Sequence, residues 1–257
     1  MSPEQSNPAR PDDATVRTWM DAGTELFLDR TEALPTDQPA AGAAPLPGLP
    51  GWTRAHLLAH VAFNAEALQR LLSWARTGVE APMYASPEAR NTEIEQGARR
   101  PLPELVGHVR TSAADLSRAL DELPEPAWDS MVRTAQGRDV PAREVVWMRT
   151  REVWIHAVDL DPAQVTFRQF PEDILEALIT DVVAMFTRRG QVPGLVIEVI
   201  GSRSWVVGGG TEPSESGPAV TVRGGLADLT AWLTGRGSPD ALTVRGGGSP
   251  PDLPAWL

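Results

Sequence analysis

The chain has 257 residues, a net charge of −11 and 42% hydrophobic residues, enough for one large domain or two modest ones with a substantial core. Its acidic balance lacks the electrostatic footprint that neutralises phosphates, so nucleic acid is not an expected partner and the surplus charge reads as solubility. No window approaches the roughly 18 uninterrupted apolar residues of a membrane span. There is no Cys, which excludes disulfides, thiolate metal ligands and a cysteine nucleophile of its own.

All 23 basic residues are Arg, so no Lys is available for a Schiff base or a phosphate loop. The bias is that of GC-rich coding sequences such as those of actinobacteria. Residues 1–13 are polar and Pro-rich and read as a frayed tail. With no basic start followed by an apolar run, a cytoplasmic location is expected.

Helical periodicity first appears over residues 14–34, with Trp19, Leu26 and Phe27 among the apolar positions. Residues 35–51 hold too many Pro, Ala and Gly for a regular element. A second helix is expected from an N-cap at Thr53 to Thr77, with Gly78 as its stop. Residues 79–100 read as a polar loop. A third helix follows over 101–123, with Pro101 or Pro103 in its first turn, where a missing amide donor costs little. Residues 124–140 read as a second loop, and a fourth helix runs over 141–160 until Asp161-Pro162 ends it.

Beyond residue 165 the texture changes. A helix over 171–189 is expected to stop at Gly190, followed by short β-rich runs at 195–200, 205–207, 219–222 and 242–244, each bounded by Gly, Pro or Ser. Residues 226–233 form a short helix between two of these runs. The pattern predicts a helical domain over 1–165 and a small α+β domain over 166–257.

Four histidines exist: His56, His60, His108 and His156. A zinc site built from oxygen and nitrogen donors commonly uses three protein ligands and keeps one position open for chemistry. In the fourth helix Glu152 and His156 are spaced i,i+4, and with Arg149 and Asp159 they fall along one stripe. Trp147, Trp154 and Val158 lie on the opposite side, while Val145, Val153 and Leu160 flank the polar stripe. A helix apolar on both sides is buried on both sides, so its polar stripe points into the protein, where charges need a partner or a metal. In the second helix His60 sits at the edge of the stripe Leu57, Val61, Leu68, Leu72 and Ala75, beside Asn64. His56 is rotated further outward and reads as a cap or shield. Each spacing taken alone is also that of an ion pair or a solvated face, and Arg149 with Glu152 at i,i+3 is equally a salt-bridge spacing. Two such motifs on separate helices of one bundle point to a metal between them. His108, with no ligand type beside it, reads as a surface residue.

Residues 51–62, Gly-Trp-Thr-Arg-Ala-His-Leu-Leu-Ala-His-Val-Ala, followed by Asn64-Ala65-Glu66-Ala67-Leu68, resemble the second helix of mycothiol-dependent maleylpyruvate isomerases. Residues 151–160, Arg-Glu-Val-Trp-Ile-His-Ala-Val-Asp-Leu, resemble the fourth. That family belongs to the DinB-like four-helix metal-binding bundles. Residues 228–236, Asp-Leu-Thr-Ala-Trp-Leu-Thr-Gly-Arg, look like the sterol-carrier-like domain appended to it. The resemblance implies that His60, Glu152 and His156 bind Zn2+, that mycothiol is the thiol cosubstrate, and that a maleylpyruvate-like dicarboxylate is isomerised from cis to trans.

The implied chemistry fits the composition. Rotation about a conjugated C=C requires a nucleophile that adds reversibly, and without Cys the thiol must come from outside. Zinc lowers the pKa of a bound thiol, and the enolate formed on addition, like a dicarboxylate, calls for Arg. The resemblance places a functional arginine in the second domain, for which Arg236 in the Leu-Thr-Gly-Arg turn is the first choice. A C-terminal charge opposing the helix dipole is its other reading. Arg149 and Asn64 are further candidates, Arg149 as an orienter of Glu152 and Asn64 as a donor behind His60, with Asp159 behind His156. The alternatives are a thiol S-transferase acting on a small electrophile, which stops at the adduct, and a non-catalytic metal-binding regulatory module with His56 as fourth ligand. Monomer and homodimer both remain open.

Overall fold

The computed structural model describes residues 11–208 and 220–256. Most of the Pro-rich N-terminal stretch, and Ala219 at the start of an expected strand, lie outside the described residues. The chain divides into two compact units, Pro11–Gln164 and Val165–Leu257. The described residues hold seven α-helices and six strands, mainly helical in the first unit and mixed in the second. None of these helices is long and apolar enough to cross a membrane.

The first unit contains α1 (Asp13–Glu32), α2 (Arg54–Thr77), α3 (Pro87–Gly97), α4 (Leu102–Asp121) and α5 (Glu144–Leu160). Helix α1 packs on α5 and α4, and α2 packs on α4 and α5, so the four long helices close a ring. Helix α2 is deeply buried within the bundle: Leu57, Leu58, Ala59, Val61, Ala62, Ala65, Leu68 and Leu71 are all fully buried. A helix apolar nearly all round is a core helix, and each fully buried Leu contributes about 2 kcal/mol. Within α2 only His60 and Asn64 are buried polar residues.

The apolar side of α5 meets α1. Trp154 donates from Nε1 to the Trp19 carbonyl at 2.8 Å, and Trp147 meets Trp19 edge to face at 6.5 Å. Gly23 makes this approach possible, since a Cβ there would sit 2.5 Å from Trp154 Cδ1. With that side occupied, the polar stripe of α5 turns toward α2.

Two stretches expected as loops are ordered. Within 79–100 lies α3, whose start is an N-cap Ser86 accepting from the Ala89 amide with Pro87 in the first turn. Its periodicity is absent because Ile94 and Gly97 are its only buried residues. Helix α3 lies on α2, close enough that a Cβ on Gly97 would come within 2.7 Å of Phe63 Cε2 and 2.9 Å of Ala59 Cβ. Within 124–140 there is an antiparallel hairpin, β1 (Met131–Arg133) with β2 (Asp139–Pro141). Its strands of three residues bury only Val132 and Val140 outright, too short a run for alternation to register.

The second unit contains α6 (Glu172–Arg188), β3 (Leu195–Val199), β4 (Ser204–Val206), β5 (Val220–Gly224), α7 (Leu226–Leu233) and β6 (Thr243–Val244). The sheet order is β4-β3-β5-β6, with β3 and β5 parallel and the outer pairs antiparallel. Helices α6 and α7 cover the face that carries Ile197, Trp205 and Val222, and Trp205 donates from Nε1 to Thr180 Oγ1 of α6 at 3.0 Å.

Candidate metal centre

Three side chains meet between α2 and α5. His60 Nε2 lies 3.0 Å from Glu152 Oε2, and His156 Nε2 lies 3.2 Å from the same oxygen. One donor atom from each falls within 4.8 Å of the others, and the two imidazoles stand perpendicular with centroids 5.0 Å apart. His60 and His156 are buried, and the Glu152 side chain is 14% exposed. Two nitrogens and a carboxylate oxygen converging in a desolvated place form a donor set that fits one divalent metal.

Burial alone would push the Glu152 carboxyl up, but hydrogen bonds with His156 and His60 outweigh it and hold the group well below the usual carboxylate range. The Glu152 side chain is therefore an anion. His156 is lowered by burial and raised by hydrogen bonds with Asp159 and Glu152, and the balance is a raised value. In His60 burial dominates, Glu152 opposes it, and the charges of His156 and Arg90 add to it, leaving the value lowered.

Residues 39–161 match the family model described as the mycothiol maleylpyruvate isomerase N-terminal domain, and residues 169–255 match the MDMPI C-terminal domain of the same family. A crystal structure of the mycothiol-dependent maleylpyruvate isomerase is 40% identical, with a TM-score of 0.85 over 96% of this chain and 98% of that one. The chain belongs to the mycothiol-dependent maleylpyruvate isomerase family. A second crystal structure, of a histidine-to-alanine mutant of that isomerase, is 39% identical with the same TM-score and coverage of 96% and 98%. No curated protein sequence matches.

Around the family's bundle the remaining predicted residues take distinct places. Asp159, itself buried, accepts from His156 Nδ1 at 2.8 Å, which leaves the Nε2 lone pair directed at the centre. Asn64 does not back His60. Its Oδ1 accepts from Arg149 Nη1 at 2.9 Å, and the same nitrogen donates to the Val61 carbonyl at 2.8 Å. The two residues cross-link α5 to α2. Burial pulls the Arg149 guanidinium down to about 10, against the opposing charge of Glu152, so it remains a cation at neutral pH.

His56 stays outside the cluster. Its Nδ1 lies 2.8 Å from Thr53 Oγ1 and 3.3 Å from the Thr53 amide, closing the N-terminus of α2, and its Nε2 faces Glu95 at 3.4 Å. His108 is more than a surface residue: it joins α4 to α2 through Glu66 at 2.6 Å, with Arg100 3.0 Å from its other nitrogen. Arg236 belongs to the second unit, where its Nη1 donates to the Thr234 carbonyl just past α7, as a cation closing a helix C-terminus does.

Three neighbours of the centre were not legible as such in the sequence. The Trp52 ring stands edge-on to His60 at 5.3 Å. Arg90 of α3 brings Nη2 to 3.3 Å from His60 Nδ1. Tyr84, in the segment before α3, lies beneath the Arg90 guanidinium, whose carbon is 5.9 Å from the ring centroid. The signal for α3 was Ser86-Pro87-Glu88, an N-cap with Pro and an acid in the first turn.

Proposed function

We propose that this protein catalyses the cis–trans isomerisation of a maleylpyruvate-like dicarboxylate, with zinc held by His60, Glu152 and His156 and mycothiol as the thiol. The observation that carries the reading is the convergence of three buried donor atoms within 4.8 Å in a chain that resembles such an isomerase over 96% of its length. The chain has no Cys, so reversible addition to the conjugated C=C, which turns it into a freely rotating single bond, needs an external thiol. When bound, zinc favours the thiolate over the thiol at neutral pH and supplies positive charge beside it.

The chain's own residues perform the rest. Asp159 holds the His156 ring in the tautomer that offers Nε2. Glu152, kept anionic by both imidazoles, brings the net charge of a dication with three such ligands to +1, which still favours an anion. The Arg149–Asn64 cross-link fixes α5 against α2, so the donors are placed before any ligand arrives. Trp52 packs against the buried His60 ring, which helps to keep water from it. Arg236 is the second unit's candidate for recognising a carboxylate of the substrate, a role tested by Arg236→Lys, which keeps the charge and loses the bidentate fork.

The test is to incubate the zinc-loaded protein with maleylpyruvate, with and without mycothiol. Formation of fumarylpyruvate only when the thiol is present is the expected result. A stable thiol adduct with no trans product makes the protein an S-transferase, and no consumption of substrate under either condition overturns the enzymatic reading.

A further inference from the structure

The two imidazoles of the centre differ in what faces their second nitrogen. His156 Nδ1 meets the carboxylate of Asp159, an acceptor, at 2.8 Å. His60 Nδ1 meets the Arg90 guanidinium, which can only donate, at 3.3 Å. A neutral imidazole that gives Nε2 to a metal carries its proton on Nδ1. His156 is ready for that state. In His60 it would set one N–H against another, so Arg90 must leave His60 when metal binds.

Arg90 is also a cation with no carboxylate. Its other described side-chain partners are neutral, Asn91 Oδ1 at 3.4 Å and Tyr84, through both its ring and a side-chain hydrogen bond, and no acid lies within ion-pair distance among the described residues. Arg17, Arg110, Arg118, Arg133 and Arg143, by contrast, all carry ion pairs. Tyr84 is a fixed platform for Arg90. The Arg70 guanidinium clamps the neighbouring Met83 carbonyl from Nε at 2.8 Å and from Nη2, and lies 5.7 Å from the Tyr84 centroid. A guanidinium has five in-plane N–H donors, and stacking on a ring uses none of them, so donors remain beyond the one shared with the Tyr84 side chain. Half-buried, beside the metal centre and without a counter-ion, such a fork suits a carboxylate.

We propose that Arg90, released from His60 by metal binding and carried on the Tyr84 ring, receives a carboxylate of the anionic substrate. The assignment rests on the reading of His60, Glu152 and His156 as metal ligands and names the chemical class their neighbour selects.

The chain has one Tyr, so protein labelled with 3-fluorotyrosine gives a single fluorine resonance at Tyr84. Zinc is titrated first, then maleate as a probe, into the wild type, Arg90→Met and Arg90→Lys. In the wild type zinc shifts the resonance and maleate shifts it again. Arg90→Met binds zinc at least as tightly as the wild type, because the opposing donor is gone. Both variants bind maleate about ten- to a hundredfold more weakly, the range for a lost charged hydrogen-bonding pair. Maleate affinity within twofold of the wild type in both variants, or no maleate binding by the zinc-loaded wild type, overturns the assignment while leaving the metal centre standing. Loss of zinc from Arg90→Met also overturns it, by making Arg90 a structural support of His60. Failure of the wild type to take up zinc overturns the metal reading itself, and the release of Arg90 with it.

Discussion

The α5 side and the α2 side of the centre bring the same chemical group to one point by different means. On α5, Glu152, His156 and Asp159 follow one another at helical spacing, and Asp159 holds the second nitrogen of His156. Ligand and support are local in sequence, and the support is an acceptor. On α2, the group that faces the second nitrogen of His60 comes from a separate helix, α3, and is the donor Arg90. The difference teaches that one half of such a site is built to be permanent and the other to be exchanged. The raised value of His156 and the lowered value of His60 express the same contrast electrostatically.

Removing the shared carboxylate erases the comparison and has the largest effect. Glu152→Gln lowers isomerase activity by at least about a hundredfold, because a metal that supplies several kcal/mol to the transition state is lost; steady-state rates with added zinc check this. Asp159→Asn attacks the α5 side alone and weakens zinc binding about ten- to a hundredfold, as measured by competition with a chelator.

The pH dependence sharpens the contrast. Metal binds only the deprotonated imidazole. With His156 raised above its usual value, zinc affinity falls as pH drops through that raised value, by about tenfold per pH unit for one displaced proton. His60, lowered, begins to compete only at more acidic pH. Asp159→Asn removes one of the contacts that raise His156, so the onset of the loss moves to lower pH. An unchanged onset breaks the assignment of the slope to His156.

Smaller effects belong to the scaffold. Asn64→Ala takes one of the two acceptors from the buried Arg149 and costs about 1–3 kcal/mol of stability, seen in denaturant unfolding, with zinc uptake retained. His56→Ala removes the N3 half of the α2 capping box, leaving the Thr53 N-cap, costs about 0.5–1 kcal/mol, and leaves zinc binding unchanged.

What could be read from the sequence follows the same division. The convergence of Glu152, His156 and His60 was legible because helical periodicity fixes which residues share a face, and apolar flanks on α5 require its polar stripe to point inward. The long helices and the Gly- and Pro-bounded strands were legible for the same local reason. Helix α3 was not, because it lies on the outside of α2 with only Ile94 and Gly97 buried, and a mostly polar helix has no periodic signature. Arg90 was lost with it. Asn64 was correctly placed on the inner face, but its partner proved to be Arg149, because a side chain's direction within a face is set by packing between helices and not by spacing along one.

We propose above all that His60, Glu152 and His156 hold one metal ion. Elemental analysis of the purified protein and of His60→Ala, Glu152→Gln, His156→Ala and His56→Ala tests it most directly. One zinc per chain in the wild type and in His56→Ala, and its loss from each of the other three, is the predicted result. Full zinc occupancy in His60→Ala together with loss from His56→Ala contradicts it.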